Sequence, residues 1–213
     1  MSAFVVSLRV ILPALVAIVP LGAALGLFLS RARGALRAVV DALVLVPLVL
    51  PPSVVGYLLL VVLGRRGAIG ALLERAFDVR LVFSSAGASV AVAAVALPLM
   101  AKASEAAFAR VDRSLEEAAE ANGLSASATF RLVTLPLALP GLGAAATLAA
   151  LRALGEFGAT LTFAGYTKST ATAPLEVFFA MQQGDDARAL GLSLALVAVS
   201  TIAAFVFHAW SRR

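Results

Sequence analysis

The sequence predicts an all-α membrane protein of about five transmembrane helices, with one long polar loop between the third span and the fourth. Three observations carry this. Hydrophobic residues make up 62% of the 213 and charged residues 14%, and the mean hydropathy of +1.00 lies outside the range of water-soluble domains. Five runs contain no Asp, Glu, Lys or Arg: residues 10–30, 42–64, 81–101, 132–151 and 189–211, which are 21, 23, 21, 20 and 23 residues long. A hydrocarbon core of roughly 30 Å takes about 20 helical residues to cross, so each run is sized for one span. Finally, 9 of the 29 charged residues fall within residues 102–131. The chain reads as one transmembrane unit over 1–213, with residues 102–136 as its loop.

The first run is too long for a secretory signal core and lacks an A-x-A site, so it is expected to stay as a helix. The second contains "PLVLPPSVVGY", with Pro47, Pro51 and Pro52 close together, and a bend is expected there because each interior proline removes a backbone hydrogen bond. Pro13, Pro20, Pro98 and Pro140 also fall inside runs. Such breaks persist in lipid where protein or a water-lined cavity satisfies the freed groups, which suits kinked helices around a pathway.

In the loop, Leu115, Ala118, Ala119 and Asn122 recur at helical spacing, giving a short helix with a small-residue face flanked by Glu116, Glu117 and Glu120. Gly123 is placed to end it in a left-handed conformation, Ser125 to cap a second helix, and Pro136 to begin the fourth span. A helix–turn–helix finger of this kind buries little by itself and is shaped for a partner's groove, although a surface helix that closes the bundle uses the same residues.

Composition also excludes chemistry. There is no cysteine and a single histidine, His208, which rules out disulfides, a thiol nucleophile, Cys-containing metal sites and histidine clusters. His208 is expected at the membrane interface or in packing. No G-x-S-x-G occurs to support an intramembrane serine hydrolase, and no G-x-x-x-x-G-K-[ST] occurs to bind ATP. Neither catalytic nor metal-binding residues are expected, nor a nucleic-acid partner.

The finger resembles the "EAA" loop of ABC importer permeases, E-A-A-x3-G-x9-I-x-L-P, through Glu117, Ala118, Ala119, Gly123, Val133, Leu135 and Pro136, with valine in place of isoleucine. The resemblance implies that the loop is cytoplasmic and couples the chain to an ATP-hydrolysing subunit. "LVLPPSVVGYLLLVVLGRRGAIG" (residues 48–70) and "RALGEFGATLTFAG" (residues 152–165) are similar to the molybdate permease branch; tungstate and sulfate or thiosulfate permeases carry similar segments. After Gly165 the chain departs from the branch at Glu176 and Phe178. The resemblance implies a cytoplasmic ABC ATPase dimer holding the ATP and Mg, a periplasmic or extracellular oxyanion-binding protein, and two copies of this chain in lipid. No cofactor is implied in the chain itself. It further implies a bacterial or archaeal cytoplasmic (inner) membrane, with the N-terminus out and the C-terminus in. Charge counting gives nine cations inside and eight outside on that topology, and does not orient the chain by itself.

For the pathway or gate the candidates are Arg152, Gly155, Glu156, Phe157, Gly158, Thr160, Pro51 and Pro52. Arg152 and Glu156 are four apart, on one helix face, and can pair. An arginine that draws an oxyanion while the carboxylate tempers it is one reading, and a structural ion pair is the other. Gly155 and Gly158 permit close approach and bending. Arg65 and Arg66 could steer anions, meet an acidic binding protein or simply be solvated. A membrane sensor subunit that keeps the loop without transporting is the alternative from a different class.

Overall fold

A computed structural model describes residues 2–211, with side chains described through residue 205; His208, Arg212 and Arg213 lie outside the described side chains. All regular elements among the described residues are helical. The first run becomes α1 (Ala3–Arg31), which stays helical through Pro13 and Pro20. The second run divides into α2 (Ala35–Val49) and α3 (Pro52–Leu63), bent by 115°. The cause is local. A residue that precedes proline is pushed out of the α region, and Leu50 (ψ 143°) and Pro51 (ψ 135°) are both extended for that reason. Pro52 then sits where a helix tolerates proline, at its start. Pro47 leaves α2 continuous.

A short helix, α4 (Ala68–Phe77), precedes α5 (Ser85–Ala109). Ser84 caps α5 by accepting the Gly87 N–H at 3.0 Å. The loop holds α6 (Arg113–Ala121) and α7 (Ala126–Thr129); a π turn, Phe130–Thr134, then leads without a break into α8 (Leu135–Leu154). Pro136 therefore does not start the span, because helix runs continuously over residues 126–154. Pro136 cannot donate to the preceding turn and its ring crowds the carbonyl four residues back; the wider π turn stands just before it. After α8 come α9 (Gly158–Ala164), α10 (Ala173–Gln182) and α11 (Asp186–Ser211).

Among the described residues, four helices are long and apolar enough to cross a membrane, or five spans if α2 and α3 together make one. Helices outrun the charge-free runs because α1 includes Arg9 and α5 includes Lys102 and Glu105. Long polar side chains near helix ends reach the interface without ending the helix.

The core lies where α1 and α5 run parallel, with α8 antiparallel beside them: Val10 and Ile18, Val92 and Met100, Ala145 and Ala149. Lipid offers no hydrophobic drive between helices, so close packing of small residues must hold them. Gly22 and Gly26 of α1 face α5. A Cβ on Gly26 would stand 2.5 Å from Ser104 Cβ and 2.6 Å from the Glu105 nitrogen. Across α5, a Cβ on Gly141 would lie 2.6 Å from Ala107 Cβ.

Candidate functional site

At the end of the bundle where α1 and α5 finish, the finger stands out from the membrane helices. Asp112 caps α6 by accepting the Ser114 N–H at 2.9 Å, and this hydrogen bond holds its carboxyl below the usual carboxylate range. Gly123 closes α6 with φ +90°; its N–H donates to Glu120 O, and the Leu124 N–H donates to Ala119 O. This is a left-handed cap of the kind only glycine adopts cheaply. Ser125 caps α7, with the Ala128 N–H donating to its hydroxyl at 3.3 Å.

α6 buries none of its residues. Leu115, Glu117, Ala118, Glu120, Asn122 and Gly123 are exposed and Ala119 is half-buried, so a small-residue face with an acidic rim stands open. Val133 and Leu135 are half-buried at the base of the finger, and Pro136 is exposed. One part of the sequence reading changes. Glu116 does not join the rim but turns back to the bundle, where Arg31 and Thr134 donate to its Oε1, each at 2.5 Å. A second ionic network steadies this end: Lys102 bonds Asp41 at 2.8 Å and also Glu105, and Arg37 donates to Glu105 at 3.0 Å.

Within the bundle the two broken helices face each other. A Cβ on Gly158 would meet the Ser53 nitrogen at 3.1 Å and Pro52 Cβ at 3.2 Å, and one on Gly56 would meet Ala159 O at 2.7 Å. The bend at Pro51–Pro52 thus packs against the break between α8 and α9. Glu156 in that break is 2% exposed. Its Oε1 accepts the Ala159 N–H at 2.8 Å, supplying the first turn of α9 with an acceptor. Its Oε2 lies 2.8 Å from Arg152 Nη2. Arg152 keeps 30% of its side chain exposed, so the pair is a buried carboxylate balanced by a partly hydrated guanidinium. Thr160 is fully buried, and its hydroxyl has no hydrogen-bond partner among the described residues. Phe157 packs against Phe178 of α10, with ring centroids 4.9 Å apart. Gly155 is the exposed C-cap of α8, and Pro51 is exposed beside the bend.

The two positions at which the chain departs from the resembled pattern are both engaged. Phe178 meets Phe157, while Glu176 accepts from Tyr166 at 2.8 Å and from Arg188 at 2.5 Å. Burial, and then the bonded carboxylate, push the Tyr166 hydroxyl above its ordinary range. Arg65 is engaged as well: with Arg80 it brackets Glu74 at 3.1 and 2.9 Å, and the Arg65 hydrogen bond leads in holding that carboxyl low.

A bundle of broken spans with an exposed polar finger at one end is the build of a transport permease. The chain matches the family of binding-protein-dependent transport system inner membrane components over residues 18–213, and it belongs to that family. Among curated relatives, the molybdenum transport system permease protein ModB of Escherichia coli (strain K12) is 39% identical over 206 residues, covering 94% of this chain and 90% of that protein. A putative molybdenum transport system permease protein of Bacillus subtilis (strain 168) is 35% identical over 202 residues, covering 94% and 89%. The fold is similar to a chain in the crystal structure of a bacterial ABC transporter involved in the import of alginate, an acidic polysaccharide. That match has a TM-score of 0.66 at 16% identity, and covers 100% of this chain and 80% of that one.

Proposed function

We propose that this chain is the permease subunit of an ATP-driven importer of molybdate, and that α6 is the helix through which a cytoplasmic ATPase drives it. One observation carries the substrate: relatives described as molybdenum transport permeases are 35–40% identical to it along nine-tenths or more of its length. The open small-residue face of α6 supports the drive. A docked ATPase dimer holds the ATP and Mg, and an oxyanion-binding protein delivers substrate at the opposite end. With α6 cytoplasmic, the N-terminus of α1 faces outward, because Arg31 at the end of α1 bonds Glu116 of α6.

Two copies of the chain complete the pathway. α2 buries none of its residues, and α11 exposes Leu190, Leu194, Val197 and Ile202. Such faces suit lipid and a second copy. The facing breaks at Pro51–Pro52 and Gly155–Gly158 form the gate region, with Arg152 as the cation that meets the oxyanion. Broken helices at a repeated contact are where membrane transporters place their substrate paths.

Uptake into proteoliposomes that hold the chain, its ATPase and the loaded binding protein tests the substrate. Molybdate should be accumulated in preference to tungstate and sulfate; preference for sulfate would overturn the assignment. Charge reversal at Glu117→Lys tests the docking face. The exposed rim should lose its complement on the partner, so the ATPase should no longer co-purify at unchanged permease yield. Undiminished co-purification would remove Glu117 from the interface. Gly123→Val forces a β-branched residue into left-handed backbone at a cost of about 1–2 kcal/mol. No neighbour among the described residues lies within 4 Å of a Cβ built there, so the strain is local, and ATP-driven uptake should fall while membrane insertion holds. Normal uptake by that variant would refute the cap's role.

A further inference from the structure

We propose that Glu116 is the positioning residue through which movement of α6 reaches the membrane helices; the proposal rests on the coupling role of α6 given above. A single carboxylate oxygen gathers three elements. Oε1 of Glu116 accepts from Nη2 of Arg31 and from Oγ1 of Thr134, each at 2.5 Å. Arg31 is the last residue of α1, and Thr134 is the last of the π turn that leads into α8.

α6 has no apolar anchor, since none of its residues is buried. Among the described residues, its side-chain hydrogen bonds to the bundle beyond the finger all pass through Glu116. The bond is charge-assisted and lies in the first turn of α6 and the last turn of α1, where both helix dipoles favour it. Thr134 is 3% exposed, and instead of bonding back within its own helix it donates outward to Glu116. A π turn inside a helix is a place where hydrogen-bond register is already altered. A pocket of about 280 Å³ beside the node, lined by Leu27, Arg31, Glu116, Glu120, Thr129 and Thr134, leaves room for these side chains to shift. A displaced α6 therefore pulls the end of α1 and the head of α8 together.

The test uses the complex of permease, ATPase and loaded binding protein in proteoliposomes, and reads molybdate imported per ATP hydrolysed. Glu116→Ala should lower that ratio about fivefold, as expected for loss of a charge-assisted bond, while ATPase co-purification stays at the wild-type value and melting temperature falls only slightly, by the cost of leaving Thr134 unpartnered. Thr134→Val should shift the ratio the same way by less. The exchanged pair Arg31→Glu with Glu116→Arg should recover part of the loss. An unchanged ratio in Glu116→Ala would overturn the proposal. So would loss of the bound ATPase, which would make Glu116 a docking contact, or a large fall in melting temperature with no recovery in the exchanged pair. Absence of ATP-linked uptake in the wild-type complex would instead defeat the coupling role of α6 itself.

Discussion

Arg152→Gln is expected to destabilise the protein by about 3–5 kcal/mol, because it leaves a carboxylate buried without its counter-ion. Glu156→Gln should cost far less. Glutamine keeps an oxygen for the Ala159 N–H, and the arginine left behind is 30% exposed and can rehydrate. The two members of one ion pair therefore differ in a predictable order. Melting temperature in detergent checks it, and equal losses for the two variants would show that burial is shared evenly between them. The transport readout separates a path role from a packing role. If Arg152 meets the oxyanion, Glu156→Gln leaves a cation unbalanced, and uptake at saturating substrate should fall while ATP hydrolysis stimulated by the loaded binding protein persists. The double variant, Arg152→Gln with Glu156→Gln, should recover stability relative to Arg152→Gln alone. A stable Glu156→Gln protein with normal uptake would leave the pair with a structural role only.

The second large effect is expected at the contact between α1 and α5. A methyl group on Gly26 would overlap Ser104 Cβ, the Glu105 nitrogen and Ala101 O. Two of those three atoms are backbone, which cannot turn aside, so Gly26→Ala must push the helices apart at a cost of about 1–3 kcal/mol. The neighbouring glycine behaves differently. A methyl on Gly22 would first meet Cγ and Cβ of Met100, which must change χ1 within a fully buried site, but the nearest backbone atom, the Ala101 nitrogen, stands off at 3.3 Å. Gly26→Ala should therefore lower melting temperature more than Gly22→Ala does, and the reverse order would contradict the packing described. Because Glu105 also binds Lys102 and Arg37, the Gly26 variant should also loosen the ionic network beside α6 and reduce uptake.

The membrane class, the finger and the bend at Pro51–Pro52 were legible in the sequence because each rests on a strong local signal: long charge-free runs, a glycine after a charged helix, and consecutive prolines. Pairing of Arg152 with Glu156 was legible from spacing alone. Other features depend on tertiary partners. Glu116, Glu117 and Glu120 look alike in the sequence, and nothing local tells which one turns toward Arg31, 85 residues away. The break between α8 and α9 was hidden for a related reason. Apolar residues surround these helices on every side in lipid, so periodicity carries no mark of where one helix stops and the next begins. The π turn was also missed. Pro136 read as a helix start, a position proline favours, whereas the continuous helix accommodates it by widening the turn ahead of it.

The ATP dependence of uptake decides whether this chain is a driven permease or a membrane subunit of another kind. Proteoliposomes holding the chain, the binding protein loaded with radiolabelled molybdate, and its ATPase should accumulate molybdate only when the ATPase can hydrolyse ATP. A partner silenced at its ATP site but still bound to α6 should abolish accumulation. Accumulation that continues with the silenced ATPase, or activity of the chain that survives removal of the ATPase altogether, would contradict the account.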